Sequence, residues 1–171
     1  MEITEAIRSK RAIRSFNDEP LPEDAIHAIL NAGRRSPTAG NAQYLTFIGI
    51  RDKEVQQQLS TTGQGTGHLA RAAFVVAIVS SGTYGPAIVH FDIGQAATYM
   101  MLAAWELGIG SNVARMTKRE EVGAALNLPD DVGCEWAISF GYPAQSDTLS
   151  APPKAGGRKE FDEVVRWDRW E

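Results

Sequence analysis

Four cations fall within seven residues near the amino terminus: Arg8, Lys10, Arg11 and Arg14. Guanidinium groups offer forked donors to phosphate oxygens and lysine adds a point charge, so the spacing suits an anion; it also suits a solvated basic face. A polar tract follows, Ser36-Pro37-Thr38-Ala39-Gly40-Asn41-Ala42-Gln43, whose hydroxyls and amides can read the edge of a planar heterocycle or simply join a helix to a strand. Gly63-Gln64-Gly65-Thr66-Gly67 matches neither the Walker pattern nor G-x-G-x-x-G, so nucleoside triphosphate binding is excluded there, while Gln64 still offers an amide. Leu107-Gly108-Ile109-Gly110-Ser111 runs on through Asn112 to Arg115 and Met116 as extended backbone ahead of a helix, a place where free amide donors meet a carbonyl or ring nitrogen. Gly156-Gly157-Arg158-Lys159 adds a late basic turn.

Other chemistries lack their parts. His27, His68 and His90 show no metal-ligand spacing, and there is no G-x-S-x-G elbow or Ser-His-Asp order. Cys134 is the sole cysteine, so no intrachain disulfide or cysteine zinc cage forms, and it reads as a small core hydrophobe. Seventeen Lys and Arg against 21 Asp and Glu give a net charge of −4, which excludes a general nucleic-acid binder. No apolar run reaches the roughly 18 residues that span a bilayer, and the first residues lack a signal-peptide core. The expectation is a soluble, cytoplasmic chain forming one domain over its 171 residues.

The elements that must position these residues follow from periodicity. Ile3 and Ile7 on one helical face, with Ala6 beside them, predict a short helix over residues 2–9. Pro22, Glu23 and Asp24 open a second helix with Ile26, Ile29 and Leu30 inward, and Gly33 is placed as its left-handed cap. Tyr44–Ile50 reads as a strand, Asp52-Lys53 starts a short polar helix, and 61–67 is a flexible loop. Ala73–Ser80 is a strand buried on both faces. Residues 90–107 form the longest helix, buried almost all round, with Phe91, Ile93, Ala97, Met101, Ala104 and Trp105 inward. Thr117 and Glu120 make a capping box for a helix ending near Leu126, and Cys134–Tyr142 is a third strand with Trp136, Ile138 and Phe140 on one face. A tail over residues 144–171 carries aromatics without a core of its own and must dock on this chain or a partner. The order is α+β, without regular βαβ alternation.

In this order the segments resemble the nitroreductase family of FMN-dependent oxidoreductases. Lys10–Phe16 resembles its R-R-S-x-R-x-F motif and Ser36–Gln43 its S-P-S-x-x-N-x-Q loop. Asp92–Gly110 resembles its central helix and L-G-x-G exit, SFGYP its late strand end, and RKEFDEVV its tail. The resemblance implies a central, mostly antiparallel sheet flanked by helices, in an entwined homodimer with FMN at the interface. It places Lys10 and Arg11 at the FMN phosphate with Arg158, and Arg14 near the ribityl chain or the N1 edge. Pro37, Thr38 and Asn41 then reach a flavin held mainly by the other subunit, Gln64 meets the pyrimidine edge, and the backbone amides of Arg115 and Met116 meet N5 and O4. Ala12 stands at the phosphate position where the family usually has serine.

The implied reaction is ping-pong: NAD(P)H delivers hydride to flavin N5, leaves, and a nitroaromatic or quinone takes its place. No side chain is assigned as a catalytic acid or base. Two alternatives stand beside it: other flavin chemistry on the same fold, such as reductive dehalogenation or flavin fragmentation, and a non-enzymatic flavin-binding protein. Thr98-Tyr99 for Gln-Asn, Tyr44-Leu45 for Pro-Trp and Arg115 for a small residue depart from the family pattern and bear on the substrate more than on the flavin.

Overall fold

Phe74–Ser81, almost entirely Val, Ile, Ala and Phe, becomes the central strand β2. In the computed structural model, which describes residues 1–81, 84–145 and 157–170, β2 pairs antiparallel with β1 (Leu45–Ile50) and with β4 (Val132–Gly141). β4 also pairs with β3 (Gly110–Arg115), so the antiparallel sheet runs β1-β2-β4-β3. Six helices accompany it among the described residues: α1 (Ile3–Ser9), α2 (Glu23–Arg34), α3 (Lys53–Leu59), α4 (Pro86–Glu106), α5 (Arg119–Leu126) and α6 (Phe161–Val164).

Side chains of successive strand residues alternate between faces, and both faces are covered. Phe74, Val76, Ile78, Ile138 and Phe140 pack with Ile26 and Ile29 of α2 and Ile93 and Met100 of α4. Val75, Ala77, Ala114 and Ala137 pack with Leu59 of α3 and Val122 of α5. That is the expected α+β architecture, with Trp136, Ile138 and Phe140 on one face as the alternation requires.

Several expectations are corrected. The extended run after Gly108 is a full strand, β3; its Gly-Ser-Asn start hides the β signal, and pairing with β4 supplies what propensity does not. Gly33 lies inside α2, which continues to Arg34, and Arg35 beyond it is right-handed. The glycine is there for close packing: a Cβ would stand 2.8 Å from the Met100 sulfur. The Thr117–Glu120 capping box does not form; α5 starts at Arg119, and the Thr117 hydroxyl donates to the Thr62 carbonyl (3.3 Å). Residues 61–67 are tied down, with the Thr66 hydroxyl on the carbonyls of Ser60 and Gly63 (both 2.8 Å).

Exposure supplies the last correction. Within one chain α4 shows Ile88, Phe91 (70% exposed) and Tyr99 rather than burying every side. α6 is closed by a Glu160–Glu163 capping box. Around it Phe161, Val164, Trp167 (77%) and Trp170 (83%) are uncovered. Residues 146–156 of the expected tail, with Gly156 of the basic turn, lie outside the described residues.

Candidate active site

β3 is an edge strand, so every second residue turns its backbone groups away from β4. The Met116 N–H donates to the Glu135 carbonyl (2.8 Å), which sets the phase: Ser111, Val113 and Arg115 face the open edge. Two distant segments dock there. The Ser111 carbonyl accepts from the Ile13 N–H (3.0 Å), and Ala12 bridges to Ser111. At the other end the Thr62 carbonyl accepts from the N–H groups of Thr117 (2.8 Å) and Lys118 (3.0 Å). Gly63 there lies so close to the Arg115 carbonyl that a Cβ has no room. The edge of β3 thus brings Ala12 and its basic neighbours, the Gln64 loop and the Arg115 amide onto one border of the sheet. The Met116 amide, expected at the flavin, is spent within the sheet, and its side chain is buried.

The cations sort themselves. Arg8 pairs with Glu5 (2.8 Å) and leaves the cluster. The Arg11 Nη1 donates to the carbonyls of Arg8 (3.1 Å), Ser9 (2.6 Å) and Lys10 (3.2 Å), closing the end of α1, while its buried Nε has no partner. Lys10 and Arg14 join no ion pair among the described residues. Burial, and then the like charge of Arg14, hold the Lys10 ammonium below its ordinary range. Two repelling cations, one partly desolvated and neither compensated, are unfavourable on their own and suit an anion. The Arg158 side chain is exposed, with no recorded bond to this cluster among the described residues.

Between these docked segments lies a histidine that the sequence marks only as flanking a loop. His68 is buried on the short 3₁₀ turn Gly67–Arg71. Its Nδ1 stands 2.8 Å from the Ser139 hydroxyl and its Nε2 2.9 Å from the Asn112 amide nitrogen. Burial first, then the Arg14 charge, lower its affinity for a second proton, against a smaller opposing contribution from the Val113 backbone. Asp92 is the second residue the sequence reading missed; an acid in the middle of an apolar helix was the available signal. Its Oδ2 accepts from the Ala39 N–H (2.8 Å) and the Tyr44 hydroxyl (2.6 Å), its Oδ1 from Gln95 (3.2 Å). Burial, reinforced by this bond, keeps the Tyr44 phenol protonated far above its usual range.

Asp92 therefore fixes the Pro37–Gln43 loop, where Gly40 and Asn41 adopt left-handed backbone (φ 58° and 55°) and Thr38 accepts from the Gln43 N–H (2.9 Å). The loop borders two cavities, about 490 Å³ against α2 and β1 and about 540 Å³ against α4, and neither is lined by Lys10, Arg14, Gln64 or Arg115. Within one chain, the candidate residues fall into two groups that share neither of these cavities. The Arg115 guanidinium lies 5.7 Å from the Trp136 ring centre and 3.5 Å from the Glu135 carboxylate. Cys134 is enclosed, its thiol pushed up to about 12 by burial, in keeping with a core role.

Comparison with known proteins places this geometry. The profile of the Nitroreductase family matches residues 7–62 and 64–142. The chain belongs to the Nitroreductase family. A protein of Archaeoglobus fulgidus, provisionally named NADH dehydrogenase/NAD(P)H nitroreductase, is 32% identical over 149 residues, covering 83% of this chain and 86% of its own. The solved structure of an FMN-dependent nitroreductase from Clostridium difficile superposes with a TM-score of 0.82 at 23% identity, covering 98% of this chain and 99% of that one. Nitroreductase A from Vibrio parahaemolyticus gives 0.86 at 20% identity, over 100% of this chain and 77% of its own. At these identities the two structures establish a shared fold. No described helix is long and apolar enough to cross a membrane, and no group of three metal-ligating side chains occurs among the described residues.

Gly63→Ala tests how tightly the Gln64 loop is seated on this edge. The added methyl meets the Arg115 backbone carbonyl, which cannot swing away as a side chain can. A loss of about 1–3 kcal/mol in urea unfolding is expected, as for other overpacked sites. An unchanged midpoint would mean that the loop is free to lift.

Proposed function

We propose that this Nitroreductase-family enzyme binds FMN along the open edge of β3 and uses it to pass electrons from NAD(P)H to small acceptors, nitroaromatics or quinones. The observation that carries the reading is the uncompensated pair Lys10 and Arg14, held together at the border where the Gln64 loop and the Arg115 amide also converge. These residues fit the cofactor: cations for a phosphate, an amide side chain and a free backbone N–H for a heterocycle edge.

Lys10 would hold the phosphate end, joined by Arg14 in place of the ribityl or N1 position the resemblance implies, because its charge acts on Lys10 and Arg11 is engaged with the end of α1; Arg158 would return from the tail, with the spare Nε of Arg11 beside them. Ala12 contributes backbone only at this point, one hydroxyl fewer than the family motif. Gln64 and the Arg115 N–H would orient the ring, with Met116 packed beneath. When bound, FMN supplies the hydride chemistry in a ping-pong exchange; the chain supplies position, positive charge and exclusion of water.

A second copy of the chain completes the site in this reading. Its Pro37, Thr38 and Asn41 would face the flavin, which accounts for two groups of residues that stand apart in one chain. The uncovered Phe91, Trp167 and Trp170 supply apolar surface for a homodimer interface, and obligate interfaces commonly bury more than about 2,000 Å². A cytoplasmic setting suits the single buried cysteine.

Fluorescence titration with FMN and with riboflavin tests the assignment. If Lys10 and Arg14 hold the phosphate through charge-assisted hydrogen bonds of about 1.5–3 kcal/mol each, FMN binds at least about a hundredfold more tightly. Equal affinities would remove the phosphate from this edge. Sedimentation of the FMN-loaded protein reports the second copy, and a monomer with stoichiometric FMN would contradict it.

A further inference from the structure

The geometry points to His68 as a positioning residue: its neutral ring, with the proton on Nδ1, clamps the end of the Gln64 loop to β3 and β4. The tautomer follows from the bonds around it. Asn112 Nδ2 stands 2.9 Å from His68 Nε2 and also donates to the Val113 carbonyl (3.0 Å). Turning that amide over would set its oxygen against the Val113 carbonyl, so Nδ2 is the atom facing the ring, and Nε2 must accept. The proton is then on Nδ1, which donates to the Ser139 hydroxyl (2.8 Å), and Ser139 donates onward to the Asn112 carbonyl (3.3 Å). Both ring nitrogens, the Asn112 Nδ2 and the Ser139 hydroxyl are satisfied with the ring neutral.

A second proton breaks the arrangement. It would sit on Nε2 and face the Asn112 N–H, donor against donor, in a site with little solvent. The charged group facing the ring is Arg14, from the segment after α1; β3 presents Asn112 and the Val113 carbonyl and β4 presents Ser139, none of which titrates. Arg14 opposes the second proton as well. The turn that carries His68 follows Thr66 directly, and the Thr66 hydroxyl ties back to Ser60 and Gly63. Loss of the clamp therefore reaches the Gln64 loop through three residues of chain.

This inference rests on the FMN reading for its functional consequence, but not for its geometry. For a basic group whose proton affinity falls on folding, unfolding takes up a proton. The stability it contributes is complete above the ordinary imidazole range and drains away as pH falls from about 6.5 toward the folded-state value.

Urea unfolding of the cofactor-free protein across pH 7.5 to 5, beside FMN titration over the same range, is done for wild type and His68→Gln. Glutamine retains an acceptor for Asn112 and has no titration. Wild type is expected to lose stability as pH falls and to weaken toward FMN by about tenfold more than His68→Gln does over the window. Protonation of the FMN phosphate occurs in both and cancels in the comparison. His68→Phe, which removes both ring bonds, is expected to bind FMN weakly at every pH. Parallel pH slopes for wild type and His68→Gln would overturn the inference, as would nitrogen NMR showing the ring charged or protonated on Nε2 at pH 7.5. Failure of wild type to bind FMN at pH 7.5 would overturn the FMN reading instead, and the unfolding slopes would still decide the role of His68.

Discussion

Neutralising both Lys10 and Arg14, as Lys10→Gln with Arg14→Gln, is expected to weaken FMN binding by about a hundredfold or more while leaving the fold as stable as before or more so. The two halves of that result have separate causes. Each cation offers a phosphate a charge-assisted bond of about 1.5–3 kcal/mol, and the pair acts on the same group. In the absence of an anion the pair only repels: burial and Arg14 already depress Lys10, and no carboxylate among the described residues compensates either one. Removing charge there should not unfold the protein. Equilibrium unfolding without FMN, set beside FMN titration, separates these effects. Lost affinity with a matching loss of stability would mean that the two side chains hold the fold and not a ligand.

Asp92→Ala carries the other large effect, this time on stability and function together. The carboxylate is buried and receives the Ala39 N–H, the Tyr44 hydroxyl and Gln95. Truncation strands at least two of these donors, each at about 1–3 kcal/mol, so a total of about 3–5 kcal/mol is expected in urea unfolding. The Pro37–Gln43 loop loses its anchor, and with it the left-handed turn at Gly40 and Asn41. Asp92→Asn should recover much of the stability, because one amide oxygen in the place of Oδ2 still accepts from both the Ala39 N–H and the Tyr44 hydroxyl, and only the Gln95 bond is lost. A fully stable Asp92→Ala protein would show that the loop is held by something other than this carboxylate.

How far the sequence could be read follows from where the signals are local. β2 and β4 were legible because their apolar runs leave no other use for the side chains, and the short polar helix after Asp52 because Asp52 caps it, accepting from the Glu54 and Val55 N–H groups. β3 was half legible: its extension shows, its pairing does not, because glycine, serine and asparagine carry no strand preference and β4 lies beyond α5 in the chain. Gly33 and the Thr117 box failed for one reason. Each was read from neighbours in sequence, and each is governed by a contact from elsewhere: Met100 for the glycine, the Thr62 carbonyl for the threonine.

The candidate site divides along the same line. The cations, Gln64, the Pro37–Asn41 loop and Arg115 were visible as residue types in motifs. The engaged Met116 amide was not, since the phase of a β ladder is a tertiary fact. Nor were His68 and Asp92 visible in their present roles: His68 belongs to no motif, Asp92 only opens the central-helix segment, and each matters through partners far along the chain. Arg11 shows the reverse. Its type suited a phosphate, yet its Nη1 is occupied by the carbonyls that close α1.

The most direct measurement is an anaerobic titration of the FMN-loaded protein with NADH and with NADPH, followed in the visible flavin band, and then addition of a nitroaromatic or a quinone. The expected result is stoichiometric bleaching by at least one of the two nucleotides and return of the band when the acceptor is added. A band that neither nucleotide bleaches, in a protein that retains FMN, would contradict an NAD(P)H oxidoreductase and leave a flavin-binding protein in its place.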